Sequence, residues 1–249
     1  EDLLALYSIT GGVPWYVTLL LDKGRANRDA MLAALTEENS PFINEGKNIL
    51  IEEFGTDYVT YFSILTCIAS GMKTRSEIEN ELGNNNIGSY LVKLEDYYKV
   101  ITKSLPIFAK ENSKKVRYQF NDCFLIFWFR FFYKYQALVE NKALKSLGEI
   151  IERDYSSVSG LMMERYFMKK FREEGRYIIG KWWDRKGENE IDLIVVDPIQ
   201  KEAWMYELKK QGYRYKENEF REKVDIVLEQ TPELRKMTIH IGSLSLDEM

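Results

Sequence analysis

Asp192 lies in the apolar run "EIDLIVVD", and Glu207 and Lys209 lie in "AWMYELKK", so two segments that read as strands each carry ionisable groups. Alternate side chains of a strand share a face. Trp204, Tyr206 and Leu208 therefore point one way, and Met205, Glu207 and Lys209 the other. In the preceding strand Ile191, Leu193 and Val195 form the expected core face, with Glu190 and Asp192 opposite. Pairing of the two strands brings Asp192, Glu207 and Lys209 to one edge. Carboxylates so placed suit a hard divalent cation such as Mg²⁺, which takes oxygen ligands and keeps several waters. A neighbouring lysine can orient or deprotonate an attacking water and stabilise charge developing on a phosphate. The plainer alternative is a half-exposed strand whose acids and lysines pair across to their neighbours. A bare Glu-x-Lys is common; Asp192 upstream and Glu164 on a preceding helix are what raise its weight.

The elements that must position these groups follow from periodicity. Residues 121–150 open with the aromatic run "NDCFLIFWFRFFYKYQALVEN", expected as a helix packed on several sides. The segment "SGLMMERYFMKKFREEG" follows as an amphipathic helix carrying Glu164. Strands are expected in "YIIGKWWDRKGENEIDLIVVD" and "EAWMYELKKQG", then a helix in "ENEFREKVDIVLEQTPELRK" and a last strand in "MTIHIGSLSL". Strands interleaved with helices indicate an α/β domain over 121–249.

Upstream, residues 1–57 read as a small helical subdomain. Pro14 suits the first turn of a helix that follows Gly11-Gly12. Residues 58–120 differ: "DYVTYFSILTCIASG" is an amphipathic helix ending at Gly71, and "TRSEIENELG" has a capping box at Thr74 and Glu77. A third helix, in "NNNIGSYLVKLEDYYKV", places Ile87, Leu91 and Leu94 on one face, and strand-like "VITKSLPIFA" and "KKVRYQF" flank the polar loop "KENS". Three short helices and a hairpin in this order describe a winged helix-turn-helix.

Composition narrows the function classes. The chain has 249 residues, 45% hydrophobic and 30% charged, with a formal net charge of -4 that gives no global nucleic-acid signature. The signal is local: residues 99–134 are positive by about six charges, against an excess of about six negative charges over 1–57. Lys93, Lys114, Lys115 and Arg117 are the candidate phosphate contacts, a patch suited to salt-dependent binding of DNA with poor sequence preference. Against this stands a winged helix that only packs and spaces its neighbours. One histidine, His240, excludes a His-rich zinc site, and it reads as structural. Cys67 and Cys123 sit in apolar segments, as expected of reduced buried thiols in a cytoplasmic protein. The longest apolar run is broken by Arg130 and is too short to span a bilayer, so no membrane partner is expected. The opening "EDLLALYSITGG" has no basic signal-like region and no initiator Met, from which a fragment of a longer protein is expected.

The succession of a helix with "MERYF", a strand "NEIDLIVVD" and a strand "MYELKKQ" resembles the PD-(D/E)XK nuclease superfamily. Residue by residue, Asp192, Glu207 and Lys209 fall on its strand motif and Glu164 on its helical acid. The aromatic segment "RYQFNDCFLIFWFRFFYKYQALVE" resembles the start of a C-terminal domain of unknown function found on archaeal-type AAA+/STAND ATPases. "LYSITGGVPWYVTLLL" is similar to the helical lid of those ATPases, and "ILTCIASGMKTRSEIENELG" with "IGSYLVKLEDYYKVI" looks like their winged helix. No Gly-x-x-x-x-Gly-Lys-Ser/Thr loop or Walker-B strand occurs, so the resemblance implies ATP binding only in a longer protein carrying the P-loop domain.

The resulting expectation is a multi-domain α+β chain. Residues 1–57 form a helical lid, 58–120 a winged helix-turn-helix, and 121–249 an α/β restriction-endonuclease-like domain. The implied function is DNA engagement with Mg²⁺-dependent phosphodiester hydrolysis. In it Asp192 and Glu207 hold the metal, Lys209 positions the water and Glu164 assists. Two alternatives stand beside it: a catalytically inactive regulatory or protein-interaction module, and a winged-helix transcription regulator.

Overall fold

The computed structural model describes residues 1–21 and 24–249, with every side chain among them except that of Glu52. The protein is mixed α+β with two small sheets. It divides into two compact units: residues 1–104 with 117–159, and residues 105–116 with 160–249. The helices expected over 1–57 and those of 58–100 fall together in the first unit, whereas 121–249 is shared between the two.

The first unit begins with α1 (Asp2–Thr10), α2 (Pro14–Leu21), α3 (Arg28–Leu35) and α4 (Phe42–Phe54). Gly11 and Gly12 take left-handed φ values of 60° and 79°, which end α1 without the cost a Cβ would bring, and Pro14 opens α2 as its spacing predicts. The Asn27 side chain accepts the Ala30 N–H at 2.9 Å and starts α3. Next come α5 (Tyr58–Ala69), α6 (Arg75–Glu81) and α7 (Gly88–Val92), the last continuing as a π-helical turn over Lys93–Tyr97. The capping box is formed: Thr74 Oγ1 accepts the Glu77 N–H at 3.3 Å, and Glu77 Oε2 accepts the Thr74 N–H at 2.7 Å. Ile87, Leu91 and Leu94 are buried, as their shared face requires.

A two-stranded antiparallel sheet follows, β1 (Ile101–Ser104) against β2 (Arg117–Phe120), registered from Ile101↔Phe120 to Ser104↔Arg117. The strands stop well short of the runs expected from sequence. Leu105–Val116 belongs instead to the second unit, where the Ile107 N–H donates to the Lys181 carbonyl at 2.8 Å. The aromatic run forms α8 (Cys123–Phe127), a π-helical turn over Trp128–Tyr133 and α9 (Gln136–Glu140). Phe124, Phe127, Trp128, Phe129, Phe131 and Phe132 are all buried. Phe62 of α5 meets Phe129 and Tyr133 edge-on at 5.2 and 5.0 Å between ring centroids, a favoured aromatic geometry. Arg130 is accommodated here because its guanidinium donates to the Ala69 carbonyl at 3.0 Å and to Ser157 Oγ at 2.6 Å. Among the described residues no helix is long and apolar enough to cross a membrane.

Helix α10 (Leu144–Glu173) contributes residues 144–159 to the first unit and 160–173 to the second. In the second unit β3 (Ile178–Trp183), β4 (Glu190–Asp197), β5 (Glu202–Leu208) and β6 (Thr238–Leu244) form one sheet in sequence order. Pairing is antiparallel for the first three strands and parallel between β5 and β6. The parallel return is made by α11 (Glu217–Gln230), whose Phe220, Val224 and Val227 pack with Ile194, Val196, Ala203 and Met205. The opposite face carries Tyr206, stacked on Phe171 of α10.

One expectation for β4 needs correction. The register passes from Gly180↔Ile194 to Trp182↔Ile191, so Asp192 and Leu193 together oppose Lys181. This β-bulge breaks the strict alternation. Ile191 consequently joins Ile194 and Val196 in one cluster rather than sharing a face with Leu193 and Val195, and β4 is buried on both sides from Leu193 onward.

Candidate functional site

The bulge decides where the acids go. Asp192 sits within it, at the point where the β4–β5 ladder ends with Leu193↔Tyr206. Beyond that pair its carboxylate Oδ2 accepts the backbone N–H of Leu208 at 2.9 Å, replacing a ladder hydrogen bond. Glu207 is the residue between the last ladder partner, Tyr206, and Leu208. Burial, and then the nearby Glu164 carboxylate, push the Asp192 carboxyl up to about 6; the Leu208 N–H and the Lys181 ammonium pull the other way.

Glu164 reaches this region from α10, where it pairs with the Lys181 ammonium, both side chains being largely buried. Glu207 is buried too, and its Oε1 meets two amines: Lys223 Nζ of α11 at 3.1 Å and Lys209 Nζ at 3.3 Å. Glu164 therefore acts on Asp192, and Lys209 on Glu207. Two lysines that the sequence reading passed over, Lys181 and Lys223, complete the charge balance. The sequence did hold a signal for Lys181, since "IIGKWW" places one cation in an otherwise apolar strand. Lys223 carried none, because lysine at a helix flank is ordinary.

A divalent cation can be weighed against this donor set. Among the described residues no three His, Cys, Asp or Glu side chains gather closely enough to hold a metal by themselves. Mg²⁺ does not require three, since one or two carboxylates with several waters suffice. Asp192 and Glu164 fit in that sense: a cation would relieve the repulsion that the Glu164 carboxylate exerts on Asp192, whereas Glu207 is already held by two amines.

The candidate phosphate contacts are divided between the units. Lys93, exposed, and Arg117, half-buried, belong to the first. Lys114, exposed, and Lys115, half-buried, belong to the second. Lys115 is engaged within its own unit: its Nζ lies 5.2 Å from the Trp182 ring centroid and 3.4 Å from Gln230 Oε1, and its carbonyl accepts the Trp183 indole N–H at 3.0 Å. Lys103, another member of the basic stretch, is paired with Glu95 at 2.6 Å. His240 stacks on Trp204, with 5.2 Å between ring centroids, and both cysteines are buried thiols.

Fold and site together define a mixed α+β protein whose second unit holds two sets of paired charges, Glu164 and Asp192 with Lys181, and Glu207 with Lys209 and Lys223. The profile of a family described as archaea bacterial proteins of unknown function, DUF234, matches residues 128–226, which run from the π-helical aromatic turn into α11. The uncharacterized protein MJECL04 of Methanocaldococcus jannaschii is 30% identical over 220 residues, 84% of this chain and 48% of that protein. The chain thus spans about half the length of the curated relative it matches. No solved structure matches the chain.

Proposed function

We propose that this chain is the output portion of an archaeal-type AAA+/STAND ATPase: a helical lid, a winged helix and a restriction-endonuclease-like domain that engages DNA and hydrolyses phosphodiesters with Mg²⁺. The observation that carries the reading is the Asp192 carboxylate held on the Leu208 N–H, next to Glu207 in sequence, with Lys209 on Glu207 and Glu164 acting on Asp192. Asp192 and Glu164, with Glu207 beside them on β5, are the residues that would hold the cation. When bound, such an ion lowers the pKa of its water and offsets negative charge on a phosphate. Lys209, paired with Glu207 and the most exposed of the three lysines, is the one that would orient a water or meet a phosphate oxygen, while Asp192 also fixes the end of β5 through Leu208. Exposed Lys93 and Lys114 support phosphate contact by their accessibility. ATP belongs to the reading only through a P-loop domain that this sequence lacks.

Cleavage of single- and double-stranded DNA with and without Mg²⁺ tests the hydrolytic part. Activity should require the metal and fall by orders of magnitude in Asp192→Ala and Lys209→Ala. Cleavage that survives both substitutions would reject these residues. A second reading, a catalytically silent regulatory module retaining the nuclease-like fold, is favoured by one observation: Glu164 and Glu207 each already hold a lysine amine. DNA binding without metal-dependent cleavage is the outcome it anticipates.

A further inference from the structure

Lys181 has no place in the hydrolytic reading, yet it is the cation nearest the acids thought to receive a metal. It is the single residue of β3 that the bulge sets against Asp192 and Leu193. Its ammonium pairs directly with Glu164 and also acts on Asp192. With side-chain exposures of 17% for Lys181 and 24% for Glu164, the pair is largely withdrawn from water. A protein ammonium thus already occupies the Glu164 carboxylate that a metal would need.

We propose that Lys181 is a built-in competitor of the divalent cation, so that the Glu164–Asp192 site exists either closed on its own amine or open to a metal. This rests on the two-carboxylate cation reading given above and adds regulation to it. The physical reason is like-charge repulsion at a partly buried place. A dication held on Glu164 and Asp192 would lie beside the ammonium already paired with Glu164, so the ammonium must leave Glu164 before the ion is held. The apparent affinity for metal is then the intrinsic affinity multiplied by the fraction of molecules in which Lys181 has swung away. Lys223 and Lys209 do not share this role, because both pair with Glu207. Anything that draws the Lys181 amine off, a phosphate oxygen of bound nucleic acid above all, would open the site, which couples substrate arrival to metal loading.

The test is calorimetric titration of Mn²⁺ into the whole chain as wild type, Lys181→Met, Lys181→Gln and Lys181→Gln/Asp192→Asn. Melting curves taken first confirm folding, and the glutamine variant keeps a donor for Glu164 should the methionine variant not fold. Both single variants are expected to bind Mn²⁺ about tenfold more tightly than wild type, and the gain should vanish with Asp192→Asn. Equal affinity in wild type and Lys181 variants, abolished by Asp192→Asn, would overturn the competition while leaving the metal site standing. No Mn²⁺ binding in any variant would overturn the metal site and the competition with it.

Discussion

The Asp192 carboxylate and the Leu208 backbone N–H are joined by a 2.9 Å hydrogen bond across β4 and β5, where the ladder between those strands has run out. The same side chain thus closes a sheet and sits among the site's charges. Removing it as Asp192→Ala leaves a partly buried N–H without its acceptor and removes one of two acids facing Lys181. A loss of about 1–3 kcal/mol in urea unfolding is expected. Asp192→Asn keeps an acceptor for Leu208 and should recover most of that loss.

Protonation of Asp192 gives a pH signature. Its folded-state value, about 6, lies above the ordinary 3.8, so the folded protein holds this proton more tightly than the unfolded chain. Its stabilising contribution is therefore full below the unfolded value and is lost as pH rises through about 6. Between pH 8 and pH 5 the stability of wild type relative to Asp192→Asn should shift in favour of wild type by about 1.4 kcal/mol. Unfolding curves of both proteins across that range check the sign; a difference that does not change with pH refutes it.

Two helical glycines should respond oppositely to alanine. A Cβ on Gly46 in α4 would lie 2.2 Å from the Trp128 ring, whose indole N–H is fixed on the Ile43 carbonyl at 2.8 Å. The ring cannot yield without giving up that bond, so Gly46→Ala should cost about 1–3 kcal/mol. A Cβ on Gly160 in α10 meets nothing within 4 Å, and Gly160→Ala should stabilise by up to about 1 kcal/mol through helix propensity alone. Melting temperatures of the two variants make the comparison.

The basic stretch can be separated into surface and structure. Lys114→Glu should weaken DNA binding and reduce the salt slope by about one unit while leaving the melting temperature near that of wild type. Lys115→Glu should lower the melting temperature, because it removes the amine over Trp182 and the contact with Gln230. Gel shifts at two salt concentrations, paired with thermal melts, read both. A Lys114→Glu variant that binds as wild type does removes this residue from the interface.

Much of the fold was legible residue by residue. The Thr74–Glu77 capping box, the glycine turn before Pro14 and the Ile87, Leu91 and Leu94 face are local signals, each written within a few residues and carried by backbone conformation and helical period. The two strands carrying Asp192, Glu207 and Lys209 were legible for the same reason, since a run of β-branched and aromatic residues marks a strand wherever it pairs.

What depended on distant segments meeting was not legible. Alternation along β4 placed Ile191 with Leu193, and only the pairing of β4 against β3 introduces the bulge that turns Ile191 to the other side and sets Lys181 against Asp192. The wing-like hairpin seemed continuous until Leu105–Val116 found its hydrogen bonds on β3. The amines on Glu164 and Glu207 come from β3 and α11, remote in sequence from the motif they neutralise. The sequence by itself thus determined which residue types are present and which local element each occupies. Tertiary structure decided which charges face one another, because electrostatic pairing depends on distance in space and leaves no periodic trace along the chain.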